Sequence, residues 1–321
     1  MPGVPPTRFV YLGPEGTFAE QALRTIKLAT TAMVEPCRSV PEALDAVRAG
    51  AADAALVPLE NSIGGAEGVT LDELAGPTPL VITREVVLAV DFVLAARPGM
   101  SLDEVRTVAA HPNASRQCRG WLRTHAPDAT VVDALSNGAA AAQAAAGEAD
   151  AAICAPIGAE RYRLELLGTF IADHKDAMTR FALVARPGPP PPPTGDDLTS
   201  LAVYISHDRV GALLSVLTEL AVRGVNLTRI ESRPTGERLG RYAFFLDCSG
   251  HVAEARMGEA LQGLRRVCAE VRFLGSYPRA GNLGGDAGPD PTQTSPPPGT
   301  SDAEFADAAA WLRRLREGEP A

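Results

Sequence analysis

The chain has 321 residues, 45% hydrophobic and 21% charged, the balance of a globular protein large enough for more than one domain. Its formal net charge of −9 argues against a nucleic-acid partner. No apolar run approaches the roughly 20 residues of a membrane helix. The five cysteines (Cys37, Cys118, Cys154, Cys248 and Cys268) are odd in number and widely spaced. That pattern excludes a zinc knuckle or a redox pair and reads as reduced, mostly buried thiols in a cytosolic protein.

Residues 1–7 are proline-rich, lack the basic-then-apolar order of a signal peptide, and read as a flexible N-terminus. Residues 8–58 and 106–156 then follow one plan. Arg8 to Pro14 and Arg106 to Pro112 are strands ending at a proline, each followed three residues later by a hydroxyl, Thr17 or Ser115. Each hydroxyl opens a helical pattern, and Thr17 with Glu20 has the spacing of a capping box. Ser39-Val40-Pro41 and Ser136-Asn137-Gly138 each open a second helix, ending near Gly50 and Gly147. Matching buried strands follow, Asp53 to Val57 and Asp150 to Cys154.

Two strand–helix–strand–helix–strand units predict two α/β lobes. In such sheets ligands sit beyond the carboxyl ends of the strands, here the positions of Thr17, Ser39, Ser115 and Ser136. Helix N-termini carry unpaired N–H groups and a partial positive charge, so facing lobes would make a cleft for an anion with more than one carboxylate. Plain capping accounts for the same hydroxyls, and the two uses are compatible because capping takes the side-chain oxygen and anion binding the free N–H.

The first of the matching strands runs into Pro58-Leu59-Glu60-Asn61-Ser62-Ile63-Gly64-Gly65, whereas its counterpart reads Ala155-Pro156-Ile157-Gly158. Three consecutive polar side chains and two glycines mark a loop where backbone can approach a ligand. Residues 169–181 hold a short apolar run, a polar turn and then Thr179-Arg180-Phe181 before a second apolar run. A hydroxyl beside a guanidinium between two strands fixes a donor next to a positive charge. The bland alternative is a turn with a surface arginine.

Pro187 to Pro193 with Thr194 to Asp197 forms a semi-rigid linker over 187–197. It separates a domain at 8–186 from one at 198–278. The second domain reads β-α-β-β-α-β: Leu201–Ile205, Asp208–Val222, Asn226–Arg233, Tyr242–Asp247 after Gly240, Ala253–Val267 and Val271–Leu274. That order predicts a ferredoxin-like sandwich. Residues 279–300, rich in Gly, Pro, Asp and Thr, read as a disordered linker. Ser301 and Glu304 then form a capping box for a short amphipathic tail helix at 301–317.

Leu12-Gly13-Pro14-Glu15-Gly16-Thr17-Phe18, Val57-Pro58-Leu59-Glu60-Asn61-Ser62, His111-Pro112 and Thr179-Arg180-Phe181, in this order, resemble the signatures of prephenate dehydratases over residues 8–186. The resemblance implies a two-lobed, periplasmic-binding-protein-like (type II) α/β catalytic domain. It also implies conversion of prephenate to phenylpyruvate with loss of water and carbon dioxide, on the route to phenylalanine. One position departs: the family usually has Asn where this chain has Ala177, an amide that Asp176 or a water would have to replace. Arg209-Val210-Gly211-Ala212-Leu213-Leu214 and Asn226 to Pro234 resemble the phenylalanine-binding motifs of ACT regulatory domains. That resemblance implies an L-phenylalanine effector site at Gly211, Ala212, Leu213, Leu214, Asn226, Leu227, Glu231, Ser232, Arg233 and Pro234. It further implies a homodimer or homotetramer built through the ACT domain.

The chemistry asks the cleft to hold two carboxylates and to protonate, or hydrogen-bond, a departing hydroxide. Thr179 is the candidate at the leaving oxygen. Arg180 would hold a carboxylate or polarise the donor. Glu60, if burial raises its pKa, is the alternative proton source. Thr17, Asn61, Ser62, Ser115, Ser136 and Phe181 are the candidate substrate contacts. No cofactor or metal is expected, and no nucleic acid or membrane partner. Two other functions stay open: arogenate dehydratase, and a non-catalytic two-lobed ligand-binding or sensor protein.

Overall fold

A computed structural model describes residues 7–174, 176–205, 210–235, 241–282 and 297–318. The chain divides into two compact units, one of residues 1–73 and 86–186, the other of residues 74–85 and 187–321. Expectations resting on Arg209, Gly240 and most of 279–300 lie outside the described residues.

In the first unit, the first lobe runs β1 (Arg8–Leu12), α1 (Phe18–Arg24), β2 (Met33–Cys37), α2 (Val40–Arg48), β3 (Ala54–Asn61), β4 (Gly65–Ala66) and α3 (Gly68–Leu74), and it takes the end of β5 (Val81–Ala89) from residue 86 on. The second lobe runs β6 (Val93–Ala96), β7 (Thr107–Ala110), α4 (Pro112–Gln117), α5 (Arg119–His125), β8 (Thr130–Asp133), α6 (Asn137–Ala146), β9 (Ala151–Cys154), α7 (Pro156–Arg161) and β10 (Glu165–Gly168). β11 (Met178–Ala185) returns to the first lobe. The sheet orders are β2-β1-β3-β11-β5 and β10-β6-β9-β7-β8. In each, two parallel pairings flank the first strand of the repeat, and one strand, β11 or β6, runs antiparallel to its neighbour. Each lobe thus borrows one strand from the crossing chain, which is the type II periplasmic-binding-like arrangement.

The repeat extends to its polar anchors. Asp53 Oδ2 accepts from Thr7 N (2.9 Å) and Arg8 N (3.0 Å), and Asp150 Oδ2 accepts from Arg106 N (3.0 Å) and Thr107 N (2.8 Å). Each aspartate therefore ties the start of its central strand to the start of the neighbouring one. Helix α2 forms because Ser39 accepts from Glu42 N (3.2 Å) at its start and Val40, Ala43, Leu44 and Val47 line one buried face. α6 is capped by Ser136 and closed by Gly147 at φ 79°.

Two details correct the expected helix starts. Thr17 stands at the N-cap of α1, but its hydroxyl donates to Leu12 O (3.3 Å) and makes no cap bond. Glu20 bonds Gly16 N instead of Thr17 N, so the box does not form. α4 begins one turn earlier than read: His111 is its N-cap, and Ser115 lies inside the helix, donating to Pro112 O (3.2 Å). Proline at the first helical position fixes that start, since its missing N–H costs nothing there.

The second unit pairs β12 (Asp197–Tyr204), β13 (Leu227–Pro234), β14 (Tyr242–Ser249) and β15 (Glu270–Pro278) in the antiparallel order β13-β14-β12-β15. Helices α8 (Ala212–Ala221) and α9 (Ala255–Val267) complete the ferredoxin-like βαββαβ order. Leu201, Val203, Val216, Leu220, Leu246, Met257, Ala260 and Leu264 form its core. Residues 74–85 belong to this unit: Ala280 N donates to Glu85 Oε1 (2.8 Å), and Arg272 donates to the carbonyls of Ala75 and Gly76. Gly275, at φ 141°, lies against the Ile82 backbone, where a Cβ would not fit. The tail helix α10 (Asp302–Glu317) starts at the Ser301–Glu304 capping box and packs on α9 with no buried residue of its own.

The aspartate anchors give a pH prediction. Backbone hydrogen bonds hold the Asp53 and Asp150 carboxyls below the usual aspartate value. Groups whose folded pKa is depressed stabilise above the unfolded value, and that stabilisation is lost as pH falls through the folded one. Asp150→Asn should therefore lower stability at neutral pH by about 1 kcal/mol. The gap to the parent protein should close as the pH drops below about 4. Thermal melts between pH 7 and pH 3 check this; a gap that stays constant with pH refutes it.

Candidate functional site

The β3–β11 ladder assembles the site. Thr179 pairs with Asn61 and Arg180 with Glu60, across a register shift between Arg180 and Phe181. Residues 118 positions apart thus become neighbours: Asn61 Nδ2 donates to Thr179 Oγ1 at 2.8 Å. Asn61 Oδ1 in turn accepts from Ile63 N and Gly64 N, both at 2.9 Å. Two backbone donors on the oxygen fix which way the amide points. Because Asn61 donates into the Thr179 oxygen, the Thr179 proton is left to point at another acceptor.

Arg180 NH1 lies 3.7 Å from Glu60 Oε2, with the arginine side chain 14% exposed and the glutamate 38%. Ser62 closes the corner from both sides: its N donates to Met178 O, and its Oγ accepts from Met178 N, both at 2.9 Å. Phe181 is 3% exposed and sits in the core with Phe18, Phe92 and Leu183.

The approach to β11 is the return crossing between the lobes. Asp173 N donates to Gln117 O, and its carboxylate accepts from Gly120 N (2.9 Å) and Trp121 N (3.1 Å), in the second lobe. Ile171 N then donates to Phe92 O, and Ala177 O accepts from Val90 N (2.7 Å). The segment ahead of Thr179 therefore runs beside the outgoing crossing. Ala177 is 2% exposed with its backbone engaged, and Asp176 is exposed.

Thr17, Asn61 and Thr179 share one edge of the first sheet, because β1 and β3 run parallel and β11 starts where β3 ends. His111, Ser136 and Ala155 follow β7, β8 and β9 at the carboxyl edge of the second sheet. The two edges face each other: a Cβ on Gly16 would lie 3.0 Å from Gly158 Cα and 3.7 Å from Gly138 Cα. Ser136 Oγ accepts from Ala139 N (3.0 Å) and caps α6, a ten-residue helix whose start points into this space. Ser115, one turn inside α4, is not at a helix start.

Sequence reasoning missed Arg161. The last residue of α7, it forms a bidentate pair with Glu15 and donates to Glu20 Oε1 at 3.0 Å. It lies outside every motif, and its partners are more than 140 positions away, so no local pattern marked it. Burial holds the His111 imidazole below its usual range, with Asp133 opposing. Among the described residues, no group of three His, Cys, Asp or Glu side chains could hold a metal ion.

In the second unit the expected effector residues fall at two ends. Tyr204, Ala243 and Arg233 share one level of the sheet, the end at which α8 begins after Gly211 (φ 80°). Gly211 to Leu214 and Glu231 to Pro234 belong to that end. Asn226 O accepts from Ser249 N, which places Asn226 and Leu227 at the opposite end. There they line a cavity of about 510 Å³ with Asp196, Asp197 and Arg256.

A prephenate dehydratase family model matches residues 9–189 and an ACT domain model matches residues 199–266. The prephenate dehydratase of Mycobacterium marinum is 46% identical over 323 residues, covering 98% of this chain and 97% of that one. The crystal structure of prephenate dehydratase from Arthrobacter aurescens, in complex with L-Phe, superposes with a TM-score of 0.87 at 44% identity, covering 96% of this chain and 99% of that one. A structure described as GqqA, a novel type of quorum quenching acylase, has a TM-score of 0.75 at 28% identity, covering 84% and 97%.

The Asn61 amide ties the 62–64 turn to the ladder. Asn61→Ala should raise hydrogen exchange of the Ile63 and Gly64 amides by about tenfold or more. Hydrogen-exchange mass spectrometry reads this directly, and unchanged protection would deny the anchoring role.

Proposed function

Because the chain belongs to the prephenate dehydratase family, we propose that the groove between its lobes binds prephenate, with the Thr179 hydroxyl at the departing ring oxygen. The observation that carries this is the Asn61–Thr179 hydrogen bond at 2.8 Å. Asn61 fills one acceptor site on the Thr179 oxygen and turns its proton outward.

Loss of the ring carboxylate as carbon dioxide leaves an electron pair that completes the aromatic ring and expels the hydroxyl. The oxygen leaves as water once it gains a proton. Threonine is a weak acid, so Thr179 stabilises the leaving oxygen by hydrogen bonding and relays a proton to it, rather than ionising beforehand. Arg180, held near Glu60, presents a fixed guanidinium for a substrate carboxylate. Thr17 and Ser136 mark the helix starts that receive the second carboxylate, Ser62 offers its hydroxyl, and the start of α6 adds its dipole. Glu60 stays the alternative proton source. Ser115 enters this reading only through the helix that carries it.

The second unit gives the reading its regulation: L-phenylalanine binds at the end of the ACT domain formed by Gly211 to Leu214 and Glu231 to Pro234. What supports this is their common level in the sheet, together with the L-Phe held by the Arthrobacter relative. Inhibition then requires that L-phenylalanine favour one state of the lobes over another. Exposed Leu214, Val222, Ile230 and Tyr242 on this unit support assembly into a homodimer or homotetramer. The same reading places the enzyme in the cytoplasm, where its pathway substrate is made. Arogenate, which carries an amino group in place of prephenate's side-chain keto group, offers the same leaving oxygen, and assaying both substrates separates the two activities.

Thr179→Val keeps the shape and removes the hydroxyl. Its kcat for prephenate should fall by well over tenfold, a loss above about 1.4 kcal/mol. Turnover within tenfold of the parent would rule the hydroxyl out as the donor.

Ending the chain at Arg186 is a poor test of regulation, since residues 74–85 would lose their partners in the second unit. Gly211→Ala is better: its Cβ has open space around it, but φ 80° strains any side chain. The variant should keep its basal rate and need several-fold more L-phenylalanine for half-inhibition, measured in a coupled assay. An unchanged inhibition curve would count against the site.

A further inference from the structure

We infer that Arg161 is a positioning residue for the dehydratase reaction, acting through Glu15 and Glu20 to hold the Gly13–Thr17 loop against the second lobe. This rests on the reading above that the loop forms part of the substrate groove.

Three nitrogens of Arg161 are engaged. Nε donates to Glu15 Oε2 (2.9 Å), NH2 completes the fork on the same carboxylate, and NH1 reaches Glu20 Oε1 (3.0 Å). Arg161 ends α7 of the second lobe, whereas Glu15 and Glu20 belong to the loop and first helix after β1. Glu20 is the link to the groove. Its side chain is 5% exposed, and its second oxygen takes Gly16 N at 2.6 Å, which sets the orientation of the Glu15–Gly16 peptide just ahead of Thr17.

The surroundings raise the demand for a cation here. Tyr11, 2% exposed, has its phenol pushed up, first by burial and then by the charges of Glu20 and Glu15. Arg24 also reaches Glu20 Oε1 (2.7 Å), but it comes from the same helix as Glu20 and is half exposed. It cannot draw the loop toward the other lobe. Among the described residues only Arg161 joins both carboxylates across the groove, and only a guanidinium can serve three oxygens from one fixed plane.

A second, independent observation is the glycine contact beside this pair. A Cβ on Gly158 would lie 2.8 Å from Gly16 O, and one on Gly138 would collide with Glu15 O. The backbones approach as closely as glycine permits, at the point where Arg161 pulls them together.

The test uses the full-length enzyme. Arg161→Met should raise KM for prephenate by about tenfold or more, with the smaller part of the loss in kcat. Arg161→Lys, which keeps the charge without the fork, should stay within about threefold of the Met variant. Glu20→Gln should reproduce the Met phenotype, and it guards against a folding defect peculiar to position 161. Each variant's melting temperature is measured beside its kinetics. Parent-like kcat and KM in Arg161→Met, or full rescue by Arg161→Lys, overturns the inference. Thr179→Val separates the two claims: if it is impaired while Arg161→Met is not, the groove reading stands and the clasp falls. If Thr179→Val is parent-like while Arg161→Met is impaired, the clasp stands and the proton-donor reading falls.

Discussion

The structure depends on one antiparallel pairing, β3 against β11. From Asn61–Thr179 to Ala54–Ala185 it zips the end of the repeat's first half to the last strand of the unit. The apolar part of that ladder is a packing constraint: Ala55, Leu56, Val57, Ala182 and Val184 are all buried. The polar end is the site. Both faces of these strands are covered, so a one-residue slip would put each side chain into a space shaped for its neighbour. The register shift after Arg180 then separates the pairing that buries Phe181 and Leu183 from the one that sets Thr179 opposite Asn61. The triplet lies at a strand start and not in a free loop, so its placement follows from the packing of the ladder.

The polar scaffolding follows from the duplicated plan. Asp53 and Asp150 make equivalent bonds in both lobes, holding central strands whose carboxyl ends form the groove. The lobes then diverge where chemistry needs them to. After β3 comes the Glu60-Asn61-Ser62 corner; after β9 comes α7, which instead carries Gly158 and Arg161. One half carries the polar corner and the other carries the start of α6 and the guanidinium that meets Glu15 and Glu20.

Much of this was legible in the chain. The repeat was visible because proline, hydroxyl and aspartate recur at matching places, and those residues report backbone requirements that are local. The second unit's order was visible because its strands and helices change period cleanly. Helix starts were less legible. Thr17 and Glu20 have capping-box spacing, yet the buried glutamate is claimed by Gly16 N and Arg161, a tertiary contact that overrides the local rule. Ser115 was misplaced by one turn because His111 and Pro112 cap first. The membership of residues 74–85 in the second unit was invisible, since it rests on Arg272, Gly275 and Ala280, two hundred positions downstream. Effector residues read as one motif divide between the two ends of a strand, which linear spacing cannot reveal.

The cysteines carry a practical consequence. Burial pushes the thiols of Cys118, Cys154 and Cys248 up to about 12, and that of Cys268 to about 11. Cys37 is half-buried, and its thiol is raised by burial and by its neighbours Glu42 and Glu35. Nucleophilic sulfur is the deprotonated form, so at neutral pH all five present little of the species that peroxides and alkylating reagents attack. A cysteine introduced on the surface would stand as a lone reactive handle for probes, without first stripping the native ones away.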